Sequence, residues 1–146
     1  LTKFFAIPGL RLGAAISHPE LTSQFEKIRD PWNINVFAQL AGIVALNNRE
    51  YIKNTLGFFR EEKHFLYNKL KEVKGITPFK PSANFILIKL SESNSSSQVC
   101  RALAREGILV RNCNTYPLLG EHYIRIAIKN RKDNLQLIEK LKAVIR

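Results

Sequence analysis

Apolar residues recur along this chain at two different spacings. Val36, Phe37, Leu40, Ile43 and Val44 stand three or four residues apart, which predicts a helix from about Ile34 to Leu46. Ile52, Leu56, Phe59, Leu66 and Leu70, with Phe65 less in phase, continue that period and predict a second helix from about Glu50 to Val73, closed by Gly75. Upstream, Pro19 in a first helical position opens a helix to about Arg29, which Asp30-Pro31-Trp32 breaks. Residues 11–17 alternate loosely and read as a short strand that leaves through Ser17-His18-Pro19.

The period changes after Gly75. Ile76–Phe79 and, more strongly, Asn84–Leu90 read as strands. The Ser-rich loop 91–97 supplies an N-cap for a helix from Gln98 to Glu106, which Gly107 ends. Ile108–Arg111 and Tyr123–Ile128 are two more strands, and Asp133–Ile145 is a closing helix with Leu135, Leu137, Ile138, Leu141 and Val144 apolar. The order from Gly75 onward, β-β-α-β-β-α, describes an α+β unit with helices over a small sheet.

Composition narrows the function classes. At 146 residues and 45% hydrophobic the chain has the size and the apolar content of one ordinary domain. No apolar run is long enough to span a bilayer, and the first residues lack the pattern of a secretory leader. Cys100 and Cys113 form no Cys-x-x-Cys pair, so neither zinc nor a disulfide framework is expected, and a reducing cytoplasm fits. His18, His64 and His122 show no metal-binding spacing. The net charge of +11 raises the question of nucleic acid. However, Lys53, Arg60, Lys63, Lys69 and Lys71 are interleaved with Glu61, Glu62 and Glu72, the look of a solvated helix face. No cluster of basic and aromatic residues is evident, so a non-catalytic basic binding module is the weaker alternative.

Three arginines and one lysine stand in chemically suggestive places. Lys3 precedes Phe4-Phe5, two rings able to exclude water from an amine and free it as a nucleophile. Arg11 follows it beyond the turn at Pro8-Gly9, and Gly9 and Gly13 bracket it, so that backbone can approach a ligand. Arg111 ends the apolar run Gly107-Ile108-Leu109-Val110, at a strand rim. Arg125 sits among apolar residues in Tyr123-Ile124-Arg125-Ile126-Ala127-Ile128, where a charge is either paired or functional.

The segment Leu1-Thr-Lys-Phe-Phe-Ala-Ile-Pro-Gly-Leu-Arg-Leu-Gly13 resembles the lysine segment of the fold-type I pyridoxal-phosphate enzymes. It is most similar to the branch that holds histidinol-phosphate aminotransferases and threonine-phosphate decarboxylases. Pro31-Trp32-Asn33-Ile34-Asn35 with Gln39, Ser82-Ala83-Asn84-Phe85 and Gly107–Pro117 match that branch in order and spacing. Ala14 departs from it, where many relatives carry Tyr.

The resemblance implies an α/β fold in which residues 1–48 end a large cofactor-binding domain. Residues 49–74 would form a bridging helix and 75–146 a small α+β domain. It implies pyridoxal 5'-phosphate bound covalently by Lys3, which also moves the proton at the substrate α-carbon, with Arg11 on the cofactor phosphate. Arg111 would take a substrate phosphate, Arg125 the α-carboxylate, and Asn84 would line the pocket. The details of segments 1–13 and 111–129 lean toward decarboxylation of L-threonine phosphate for cobalamin biosynthesis, with an aminotransferase as the alternative. A homodimer, a phosphorylated amino-acid substrate and neither nucleic acid nor membrane as partner complete the expectation. The chain is expected to be the C-terminal part of a longer enzyme and inactive alone.

Overall fold

The computed structural model describes residues 1–145, which divide into two compact units, one of residues 1–55 and one from Leu56 onward. In the first, a 3₁₀ turn at Pro8–Leu10 precedes α1, Pro19–Ile28, and α2, Val36–Asn47; the division itself falls within α3, Arg49–Lys71. Pro19 occupies the first turn of α1, where its missing N–H is harmless. The Asn35 side chain accepts from the Ala38 amide at 2.9 Å and caps α2. Leu12 is buried against α2, where Gly42 leaves room: a Cβ there would lie 2.7 Å from Leu12 Cδ2.

The strand expected at residues 11–17 is absent. Its backbone finds no ladder partner among the described residues, and beyond Leu12 its side chains are exposed, Ile16 completely. Loose alternation without a second strand to pair with leaves an extended but unbonded segment.

The second unit is built on a four-stranded antiparallel sheet of β1, Ile76–Pro78, β2, Phe85–Leu90, β3, Arg111–Asn112, and β4, Tyr123–Ala127, in the order β1-β2-β4-β3. Alternation sorts its residues: Ile86, Ile88 and Leu90 on β2 and Ile124 and Ile126 on β4 are buried, while Phe85, Leu87, Lys89, Tyr123 and Arg125 stand on the other face. The buried face packs under α3 through Leu66 and Leu70, α4, Ser96–Arg105, through Val99 and Leu103, and α5, Arg131–Val144, through Leu137, Ile138 and Leu141.

The strand expected at Ile108–Arg111 starts three residues late. The Ile108 amide donates to Leu103 O at 2.9 Å and Gly107 N to Ala104 O at 3.0 Å, with Gly107 at φ 76°. That paired closure ends α4 and diverts the chain before it can join β4.

One polar cluster ties this core together. Glu62, 6% exposed on α3, accepts from Arg131 Nε at 3.0 and 3.2 Å and from Asn134 Nδ2 at 2.9 Å. Asn134 also bonds both backbone atoms of Lys129, and the Arg131 guanidinium lies 3.7 Å from the Phe65 ring centroid. The Arg131 hydrogen bond holds the Glu62 carboxyl below its ordinary value against the burial that pushes it up. Glu62, read from sequence as part of a solvated face, is therefore the buried anchor between α3 and α5.

Candidate active site

Lys3 lies in a turn closed by the Phe5 amide donating to Leu1 O at 3.1 Å and by Ala6 N to Lys3 O at 3.4 Å. Its amine is exposed, and no described acidic group pairs with it. Phe4 and Phe5 do not shield it as expected. They pack edge to face at 4.9 Å, and Phe5 stacks on Tyr51 at 5.8 Å. The Tyr51 hydroxyl donates to the Phe4 carbonyl at 3.1 Å. Sequence reasoning passed over Tyr51, since a tyrosine in the first turn of an amphipathic helix looks like any boundary residue.

Ala6 and Arg11, at φ 53° and 54°, both adopt the left-handed conformation that costs a non-glycine residue about 1–2 kcal/mol. The Arg11 guanidinium turns back on its own loop and donates one N–H to Pro8 O at 3.0 Å. Gly9 and Gly13 take no positive φ, and nothing stands within 4 Å of where their Cβ would be. Neither a positive φ nor a close neighbour requires glycine at these two positions.

In the second unit the sheet brings two of the candidate arginines together. Arg111 on β3 is the direct cross-strand partner of Arg125 on β4, and Leu87 on β2 lies opposite Arg125 on the other side. Directly opposed like charges disfavour the sheet unless an anion lies between them. Neither has a carboxylate partner among the described residues; each lies against an aromatic face. The Arg125 guanidinium is 4.8 Å from the Phe85 ring centroid, and that of Arg111 is 5.8 Å from Tyr116, with a 3.4 Å bond to Thr115 Oγ1. Phe79 stacks on Tyr123 at 6.3 Å on the same sheet. The basic and aromatic cluster that the linear sequence did not display thus exists, assembled by strand pairing.

Asn84 is exposed at the mouth of β2, where its carbonyl accepts from Ile128 N at 3.0 Å, one residue before Phe85. Cys113, 1% exposed, follows β3; burial pushes its thiol up, while Arg125 and Arg111 nearby pull it down. No group of His, Cys, Asp and Glu able to hold a metal occurs among the described residues, and no described helix is long and apolar enough to cross a membrane. Lys3 and Arg11 belong to the first unit and Asn84, Arg111 and Arg125 to the second.

The model of the aminotransferase class I and II family matches residues 1–141, and the chain belongs to that family. It is 34% identical over 146 residues to the threonine-phosphate decarboxylase of Salmonella typhimurium, covering 99% of this chain and 40% of that protein. It is 35% identical over 147 residues to the histidinol-phosphate aminotransferase of Oleidesulfovibrio alaskensis, covering 99% of this chain and 38% of that one. Its fold superposes on the crystal structure of the histidinol-phosphate aminotransferase from Clostridium acetobutylicum with a TM-score of 0.91 at 34% identity, over 98% of this chain and 43% of that chain. The chain spans about 40% of the length of the curated relatives it matches. These relatives are pyridoxal-phosphate enzymes.

The residues present suit that cofactor. An aldehyde bearing a phosphate monoester needs a primary amine and a cluster of N–H donors. Lys3 offers an exposed amine, and Arg11, in the same segment, uses one N–H on Pro8 O and keeps the rest.

Proposed function

We propose that this chain carries the lysine and the substrate-binding arginines of a pyridoxal-phosphate enzyme that decarboxylates L-threonine O-3-phosphate to aminopropanol phosphate. The observation that carries the reading is the Arg111–Arg125 register, which places two uncompensated guanidiniums side by side on the open face of a sheet. Such a pair suits a small ligand with two anionic groups, an α-carboxylate and a phosphate monoester.

Lys3 and Arg11 would hold the cofactor. Pyridoxal phosphate, when bound, supplies the electron sink that accepts the pair released from the bond broken at the α-carbon. Arg125 binds the α-carboxylate and Arg111 the phosphate. Two fixed points determine the rotation of the substrate about its α-carbon, and so which of its bonds is held ready to break. The amine of Lys3 returns a proton to that carbon. Asn84, beside the Phe85 that carries Arg125, lines the same end of the sheet.

The second reading is a histidinol-phosphate aminotransferase, favoured by the superposition on the Clostridium enzyme. Both substrates carry a phosphate, so Arg111 serves either. The test is to give the full-length enzyme L-threonine phosphate with no keto acid. Release of CO2 is the expected outcome. Absence of CO2, together with turnover of histidinol phosphate and 2-oxoglutarate, rejects the decarboxylase in favour of the aminotransferase. In the cell the whole enzyme is proposed to work as a homodimer in the cytoplasm.

A further inference from the structure

The lysine segment has little to fix its shape. Two non-glycine residues, Ala6 and Arg11, are held at positive φ, and such conformations persist only where the surroundings over-determine them. The local bonds are those of Phe5 to Leu1, Ala6 to Lys3, Leu10 to Ile7 and Arg11 to Pro8, all within a few residues. Among the described residues, the long-range polar contact on residues 1–6 comes from Tyr51, whose hydroxyl donates to the carbonyl of Phe4, the residue after Lys3. The same side chain stacks on Phe5 and meets Phe4 edge-on at 6.4 Å. Tyr51 is itself fixed, because Asn48 Oδ1 accepts its backbone amide at 3.0 Å in the first turn of α3. One side chain thus pins both residues that follow the lysine, by a hydrogen bond on one and by stacking on the other.

We infer that Tyr51 is the positioning residue of Lys3, setting where the backbone of the turn lies and so where the amine reaches. The inference rests on the reading of Lys3 as the lysine that binds pyridoxal phosphate. Tyr51 touches neither the amine nor any reacting atom; it acts through the Phe4 carbonyl and the Phe5 ring. Tyr51→Phe keeps the stacking and removes the hydrogen bond, whereas Tyr51→Leu removes both.

The experiment uses the full-length protein and two readouts: the equilibrium dissociation constant for pyridoxal phosphate, and amide hydrogen exchange of residues 1–10 in the cofactor-free form. Tyr51→Phe is expected to weaken the cofactor about five-fold, the value of one neutral hydrogen bond. Tyr51→Leu should weaken it further, and both should speed exchange in this segment while the helices keep wild-type protection. In a Lys3→Ala background the same changes should leave the residual affinity unaltered, because a residue that acts through the lysine has nothing left to position. Unchanged affinity and exchange in Tyr51→Leu overturn the inference, as does an equal loss with and without Lys3. If instead Lys3→Ala retains a borohydride-reducible adduct at the wild-type level, the reading of Lys3 itself fails, a result separate from anything Tyr51 does.

Discussion

The two units carry chemistry on very different foundations. From Leu56 onward, three helices close over one face of a sheet, and Leu66, Leu70, Ile86, Ile88, Leu103, Ile124 and Leu141 are sealed from solvent. Arg111 and Arg125 stand on the back of that packed layer. In residues 1–55 the buried side chains are few, Leu12 and Ala38 among them, while Phe37, Val44 and Trp32 are largely exposed. Lys3 rests there on a turn, a strained loop and Tyr51. The difference teaches that the arginines have a scaffold that fixes them through strand register, whereas the lysine depends on a small number of contacts, the turn's own bonds and Tyr51. Packing substitutions should therefore cost most in the second unit, while substitutions at the charged candidates should act through the site in either unit.

The largest effect is expected in the weakly packed unit and on chemistry alone. Lys3→Ala in the full-length enzyme should lower turnover by about 10²–10⁴-fold or more, the scale of a lost acid–base group. The melting temperature of the cofactor-free protein should stay near wild type. Normal turnover in that variant would remove the lysine from the account.

Leu66→Ala probes the other foundation. Leu66 is fully buried, so its truncation should cost about 2–5 kcal/mol in denaturant unfolding. A change below about 1 kcal/mol would mean that this core is looser than its packing indicates.

Glu62→Gln comes next. Losing the ionic character of its bonds to Arg131 and Asn134 should cost about 1.5–3 kcal/mol near neutral pH. Because the folded carboxyl is held below its ordinary value of 4.5, its contribution is complete above that pH. It is lost as the pH falls through the folded value. The stability gap between wild type and variant should accordingly shrink on acidification, and a gap independent of pH would contradict the ion pair.

Gly42→Ala should have the smallest effect. The added Cβ meets only the flexible end of Leu12, and the gain of about 1 kcal/mol in helix propensity offsets the shift it forces. Thermal melting within a few degrees of wild type is expected. A large loss would show that residues 1–55 are packed as tightly as the second unit.

Most elements of this fold were legible because their apolar periods are undisturbed, as in α3 and β2. The misreadings have physical causes. Residues 11–17 alternate but have no partner strand, and Ile108–Val110 is apolar but diverted by the closure of α4 on Gly107. Glu62 could not be distinguished from Glu61, since burial of a carboxylate depends on Arg131 and Asn134, about seventy residues away. The four charged candidates were visible as residue types in family-like spacing. Their arrangement was not: the pairing of Arg111 with Arg125, and the support of Arg125 by Phe85, follow from strand register. Tyr51 was invisible because its role depends on Phe4 and Phe5, nearly fifty residues earlier in the chain.

The central claim is that the opposed arginines read two different anionic groups of one substrate. Its most direct test measures kcat/KM of the full-length enzyme for L-threonine phosphate and for plain threonine in the wild type, Arg111→Ala and Arg125→Ala. Where substrate covers these guanidiniums, removing one leaves a desolvated anion unpaired and costs about 2–5 kcal/mol. Arg125→Ala should therefore lower kcat/KM for both substrates by a similar, large factor. Arg111→Ala should lower it for threonine phosphate alone and so narrow the gap between the two. If Arg111→Ala weakens threonine as much as threonine phosphate, the division of labour between the two arginines is wrong.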